Sequence, residues 1–175
     1  MNEKERWSRL AADMGAIIEA HGSNARSPSK AHRKWDCQTP YAIHPLWCAT
    51  TIATETHLDT QTRLDGFTVL LYHDMLEDTT ASLPLHFPND LRPKIEMMTY
   101  ESSDVEMEEV WNRPPEIRLY KLYDKVSNLL DGSWMGEERR QRYCDYTRRL
   151  RDDVFANYGE LNITRIADAV LEGRT

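Results

Sequence analysis

Leu70-Leu71-Tyr72-His73-Asp74-Met75-Leu76-Glu77-Asp78-Thr79 ends an apolar run with an imidazole and three carboxylates. Upstream, Leu64, Phe67, Leu71 and Met75 recur at spacings of three and four, the period of a helix with one apolar face. Leu70 and Leu76 widen that face, so this helix is expected at the centre of the fold. Charge at the buried end of such a helix is costly unless it has a partner or a task. His73 with Glu77, and Asp74 with Asp78, are i,i+4 pairs and are expected to share a helix face. One cation in front of that face is within reach of His73 and Asp74, with the carboxylates of Glu77 and Asp78 close behind.

The same period organises the rest of the chain. Trp7, Leu10, Met14, Ile17 and Ile18 predict an amphipathic helix over residues 3–20, stopped at Gly22. Residues 23–29 read as a loop, and Pro28 can open a short helix. A helix is expected over residues 41–56, with Pro45 in its first turn, where the missing N–H is tolerated. Asp59 is the expected N-cap of the central helix. Residues 82–93 hold three prolines and form a connection to an acidic helical stretch ending near Val110. Pro114-Pro115 starts a helix to about Leu130, closed by Gly132; two more are expected over residues 137–157 and 161–171. No stretch alternates with period two for long enough to make a strand. The fold class is all-α, a single-domain helical bundle over residues 1–175.

Composition narrows the function. The charged fraction of 29% and apolar fraction of 40% are those of a globular protein, and no apolar run approaches the roughly 18 residues of a membrane span. The opening Met1-Asn2-Glu3-Lys4-Glu5-Arg6-Trp7 is charged and lacks an apolar leader. Cys37, Cys48 and Cys144 are widely spaced without a CxxC pair, which points to reduced thiols and a cytoplasmic setting. A net charge of −7 argues against general nucleic-acid binding. Within this acidic chain, Arg26, Lys30, His32, Arg33 and Lys34 form an island without an acid, readable as a small-polyanion site or as a solvated helix face.

His44, beside Pro45, and Asp124, inside Lys121-Leu122-Tyr123-Asp124-Lys125-Val126-Ser127-Asn128, are the candidates to complete the centre. His44, His73, Asp74 and Asp124 make an N2O2 set from three helices, suited to Mn, Fe, Co or Zn rather than calcium. Taken singly, a His-Asp pair is commonly a structural hydrogen bond, and Asp124 is equally half of a salt bridge with Lys121 or Lys125. His21, His32, His57 and His86 have no partner pattern and read as structural or solvent-facing. The ordered set favours a metal-dependent hydrolase.

That order resembles the HD superfamily of metal-dependent phosphohydrolases, and within it the hydrolase domains of RelA/SpoT-type proteins and the stand-alone small alarmone hydrolases. The matching residues are Arg33-Lys34, Thr39-Pro40-Tyr41-Ala42-Ile43-His44-Pro45, His73-Asp74-Met75-Leu76-Glu77-Asp78-Thr79, and Lys121-Leu122-Tyr123-Asp124-Lys125 with Asn128; Trp134, Arg142 and Tyr143 fall in a similar pattern. The resemblance implies an HD-type bundle in which His44, His73, Asp74 and Asp124 bind a manganese-like cation and Glu77 and Asp78 act on the attacking water. Arg33, Lys34, Lys121 and Asn128 are then the substrate side, with Arg33 stacking on the base. The implied reaction removes the 3′-diphosphate of guanosine tetra- or pentaphosphate.

The chain departs from this pattern in Trp35-Asp36-Cys37-Gln38, where a glycine is usual, and at Tyr123, where a small residue is usual. Asp36 is expected to add negative charge near the substrate, Trp35 a stacking surface, and Tyr123 a narrower pocket. A nucleotide or deoxynucleotide phosphatase acting at 5′-phosphates is the alternative activity, and a non-catalytic nucleotide-binding module is a third reading.

Overall fold

In a computed structural model, residues 3–173 are described; the outermost residues of the expected 1–175 domain lie outside them. The regular elements of the described chain are all helices: α1 (Glu3–Ser23), α2 (Pro28–Ala31), α3 (Ile43–Ala53), α4 (Thr60–Tyr72), α5 (Met75–Asp78), α6 (Arg92–Met98), α7 (Ser103–Glu109), α8 (Pro115–Leu130), α9 (Glu137–Tyr158) and α10 (Asn162–Leu171). Short 3-10 turns at Val110–Asn112 and Gly132–Trp134 flank α8. The all-α expectation holds.

Local chemistry explains most boundaries. The Asp59 carboxylate accepts the Thr62 N–H at 3.0 Å and caps α4 as expected. Pro115 is the first residue of α8, and Gly159, at φ 76°, ends α9 while its N–H bonds the Phe155 carbonyl at 2.9 Å. The third helix is shorter than expected. Tyr41 and Ala42 form a turn in which Ile43 N–H bonds Pro40 O and His44 N–H bonds Tyr41 O, at 3.2 and 2.9 Å. The acidic stretch divides into α6 and α7, because the Ser102 side chain caps a new helix by accepting Val105 N–H at 3.3 Å.

The central helix breaks where the sequence predicts continuity. The central helix does not run through His73 and Asp74. It stops at Tyr72, Asp74 takes φ −93° and ψ −4°, and a single turn restarts as α5. That backbone region is sparsely populated and is frequent at active sites. The two ligand candidates therefore sit at a seam between helices, rather than on one continuous face.

α4 is buried on nearly every side from Gly66 to Tyr72, and α8 buries most of its length from Ile117 to Leu129. α3 packs along α4, α9 and α10 along α8, and α8 touches α3, α4 and α6, so one hydrophobic core joins them. Gly66 marks the closest approach: a Cβ there would lie 2.3 Å from Ile52 Cδ1 and 3.0 Å from Tyr120 Cε1.

Glu55, just past α3, is completely buried. Its carboxylate accepts the Tyr123 hydroxyl at 2.8 Å and the N–H groups of Asn162 and Ile163 at 2.8 and 2.9 Å, tying α3, α8 and the start of α10 together. Tyr123 thus turns into the core and does not narrow the pocket, a correction to the sequence expectation. Glu55→Ala would leave a hydroxyl and two helix-terminal N–H groups without their acceptor. It is expected to destabilise the fold by about 3 kcal/mol or more, against about 1 kcal/mol for Tyr123→Phe, both read from urea denaturation.

Candidate active site

His44 comes from the first turn of α3, His73 and Asp74 from the seam between α4 and α5, and Asp124 from the middle of α8. The two imidazole rings lie 5.2 Å apart, centroid to centroid. Each ring is held through Nδ1. His44 Nδ1 pairs with Ser127 Oγ at 2.8 Å, and His73 Nδ1 with the Leu70 carbonyl at 2.7 Å. The carbonyl can only accept, so His73 carries its proton on Nδ1 and presents a bare Nε2. Both Nε2 atoms are buried without a hydrogen-bond partner. His44 Nε2 lies 3.3 Å from Asp74 Oδ2 and 3.4 Å from Asp124 Oδ1, and His73 Nε2 lies 3.2 Å from Asp74 Oδ2. Ligand atoms of His44, His73 and Asp124 all fall within 4.8 Å of one another.

Two orphaned imidazole nitrogens facing two carboxylates, each ring oriented from behind, fit a divalent cation. The electrostatics agree. Burial opposes charge on both rings; on His44 the facing carboxylates of Asp124 and Asp74 outweigh it and raise the ring's affinity for a proton, whereas on His73 burial wins and lowers it. Burial also opposes the charge of Asp74 and Asp124. The neighbouring imidazoles nevertheless hold Asp74 far below the usual carboxylate range, and Lys125 and Lys121 do the same for Asp124.

The carboxylates are positioned in turn by neighbouring side chains, among them Glu106, which the sequence patterns did not single out. Tyr41 donates its hydroxyl to Asp74 Oδ2 at 2.7 Å. Asp124 Oδ1 accepts from Asn128 at 2.7 Å, while its Oδ2 faces Lys121 and Lys125 at 3.2 and 3.0 Å. Both lysines also bond Glu106, buried on α7, which accepts the Tyr146 hydroxyl as well at 3.0 Å. Lys121 lines the pocket, as expected of a substrate-side residue, but its ammonium is engaged by Glu106 and Asp124. His21 stacks at 5.1 Å on the ring of Tyr41 and is buried rather than solvent-facing. Burial lowers its pKa to about 4.

The centre opens into a polar cavity of about 230 Å³ lined by Asp74, Glu77, Asp78, Lys30, Lys34, Arg139 and Tyr143, among others. Glu77 reaches solvent in this cavity, and burial by the walls, then the charges of Asp74 and Asp78, push its carboxyl up to about 7. Asp78 is buried and paired with Lys30. Opposite the acids, Lys34 Nζ lies 4.4 Å from the Trp134 ring centroid and Arg139 Cζ 5.0 Å from it. Among the described residues, no carboxylate lies within ion-pair distance of either cation.

Several substrate-side expectations change. Arg33, expected to stack on a base, is buried, chelated by the Asp131 carboxylate, bonded to Asn128 Oδ1 at 3.0 Å, and laid over the Tyr41 ring at 5.2 Å. Asp36 does not face the cavity: it accepts the N–H groups of Gln38 and Thr39, both at 2.9 Å, and so closes the turn in which Cys37 adopts φ 56°. Trp35 lines a separate apolar groove with Ile43, Trp47 and Leu130. Arg142 points outward to Asp104, at 3.4 Å, and the arginine of α9 that lines the cavity is Arg139.

Comparison with known proteins accords with this geometry. No family model matches the sequence. The guanosine-3′,5′-bis(diphosphate) 3′-pyrophosphohydrolase MESH1 of Xenopus tropicalis is 30% identical over 157 residues, covering 81% of this chain and 86% of that protein. The chain belongs to the MESH1 family. The human MESH1 is 27% identical over the same extent. The solved structure of a metazoan ortholog of SpoT, described as hydrolysing ppGpp, covers 93% of this chain and 96% of its own with a TM-score of 0.68 at 22% identity. That likeness shows a shared fold, the helical bundle expected from the motifs.

Proposed function

We propose that this chain is a metal-dependent hydrolase that removes the 3′-diphosphate of guanosine tetra- or pentaphosphate, giving GDP or GTP and pyrophosphate. The observation that carries the reading is that the His44–His73–Asp74–Asp124 centre opens into one cavity with Lys34 and Arg139, two cations without a carboxylate at ion-pair distance among the described residues. A substrate with two separated anionic groups satisfies both ends, and the substrate in the name of the MESH1 relatives is of that kind.

His44, His73, Asp74 and Asp124 would hold the cation, with manganese the fit to two imidazoles and two carboxylates, and iron, cobalt or zinc as alternatives. When bound, it supplies a Lewis acid for the phosphoryl oxygen and lowers the pKa of the attacking water. Glu77 and Asp78 orient that water and take its proton. The water oxygen bonds to the phosphorus attached to the 3′ oxygen, the bond to the 3′ oxygen breaks, and the proton passes to that oxygen as pyrophosphate leaves. Lys34 and Arg139 bind the 5′-diphosphate, and Trp134 supplies a flat surface between them. Asn128 links Arg33 to Asp124, so the buried arginine and a metal ligand are held by one amide.

A core continuous through α1, α3, α4, α8, α9 and α10 supports one HD-type domain over residues 1–175. No helix among the described residues is long and apolar enough to cross a membrane, and three free thiols accord with a cytoplasmic setting.

The test is product analysis by anion-exchange chromatography after incubation with Mn²⁺ and a nucleotide panel. The panel contains guanosine 3′,5′-bis(diphosphate), its adenosine counterpart, and the common NTPs and dNTPs. Pyrophosphate and GDP from the first substrate are expected. Cleavage confined to 5′-phosphates would overturn the substrate while keeping the centre.

A further inference from the structure

The basic island places on the cavity wall a lysine that the reading above does not use. Lys30, on α2, donates through Nζ to Asp78 Oδ1, and both residues line the cavity. The Asp78 side chain is 3% exposed and that of Lys30 is 40% exposed. The contact is built rather than incidental. Arg26 N–H bonds the Asp78 carbonyl at 2.9 Å, the Arg26 guanidinium bonds the Leu76 carbonyl at 3.2 Å, and Thr80 N–H bonds the Asn24 carbonyl at 2.8 Å. Residues 24–30 are thereby stitched along residues 76–80, and α2 carries Lys30 onto the acid pair.

An ammonium has three protons and no acceptor, so a bond to Asp78 leaves donors for a second anion. The other cations nearby are less available for that position. Lys121 and Lys125 are buried against Glu106 and Asp124, Arg33 is chelated by Asp131, and Lys34 lies over Trp134. Phosphoryl transfer depends on positive charge placed at the oxygens of the group in flight.

We propose that Lys30 is a further catalytic residue, bridging the Asp78 carboxylate and an oxygen of the diphosphate that is removed. Its ammonium holds Asp78 in place before the substrate arrives and then meets the phosphoryl oxygens without a change of partner. A lysine suits this role because it is a compact point charge with rotatable donors, whereas a guanidinium would favour a planar two-point contact with the carboxylate. The proposal rests on the phosphohydrolase reading, but its test does not require turnover.

The probe is inorganic pyrophosphate, titrated calorimetrically into the Mn²⁺-loaded protein and into its Lys30→Met and Lys30→Gln variants. Pyrophosphate affinity is expected to fall on the order of tenfold or more in both variants. Mn²⁺ affinity should stay near that of the unaltered protein, and Lys30→Gln, which keeps a donor for Asp78, should hold thermal stability closer to it than Lys30→Met does. In parallel, kcat on guanosine 3′,5′-bis(diphosphate) should fall, and Lys30→Arg should recover part of it. Unchanged pyrophosphate affinity in both variants overturns the proposal and leaves Lys30 as a tether between α2 and α5. Loss of pyrophosphate binding in a protein that cleaves no nucleotide of the panel would support the Lys30 site while overturning the proposed function. Equal cleavage and equal pyrophosphate affinity in all forms would do the reverse.

Discussion

His73→Ala is expected to abolish retention of the divalent cation and to lower kcat on the order of a thousandfold or more, with the helical far-UV signal intact. The ring is held from behind and presents one free nitrogen. Its Nδ1 is committed to the Leu70 carbonyl, and its Nε2 is buried with no partner except what binds between the two imidazoles. A buried nitrogen with no acceptor or donor is costly unless something fills that place. The ring also sits where the central helix breaks, so its removal takes away a ligand without removing a core contact of α4, whose apolar residues end at Tyr72. Metal content after dialysis, pyrophosphate release and circular dichroism together check this. Undiminished metal retention with activity lost would mean that His73 acts on the substrate and not as a ligand.

The bundle was readable because helix period, prolines and caps all act within a few residues of themselves. Asp59, Pro115 and the apolar spacing of α4 and α8 signalled their elements directly. The seam at His73-Asp74 was not readable: nothing in Tyr72-His73-Asp74-Met75 breaks a helix by propensity, and the break is visible only once the Nδ1 bond back to Leu70 is seen. The same limit applies to the site. His44, His73, Asp74 and Asp124 stand out in sequence because imidazoles and acids interrupt apolar patterns. Glu106, Tyr41 and Asp131 do not, since each lies in a stretch where its residue type is ordinary, and each matters through a partner at least 15 residues away. Tyr123 shows the converse. Its neighbour Asp124 suggested a wall of the pocket, but successive residues on a helix point about 100° apart, and Tyr123 turns to Glu55. Arg142 and Arg139 differ by three residues on α9, close to one turn, and only their facing separates the outward pair with Asp104 from the cavity wall.

Glu106 carries the second large expectation. It is not a ligand, yet its carboxylate joins Lys121 and Lys125, and these two ammonium groups fix Asp124 Oδ2 and leave Oδ1 toward the imidazoles. Burial works against charge on both lysines, and Glu106 and Asp124 together overcome it and raise them. Glu106→Ala leaves two buried ammonium groups sharing one carboxylate and the Tyr146 hydroxyl without its acceptor. Breaking one side of a buried ion network costs about 3–5 kcal/mol, so urea denaturation of this variant should show a loss of that size. A second effect should accompany it. With Glu106 gone, both lysines bear on Asp124 alone, drawing its charge away from the cation place, and metal affinity should fall although no ligand has changed. Glu106→Gln, which keeps the volume and one acceptor oxygen, should lose less stability but show the same sign in metal affinity. If the alanine variant loses stability with its metal affinity unaltered, the network is scaffolding for α7 and α8 alone, and Asp124 is oriented by Asn128 and its own helix.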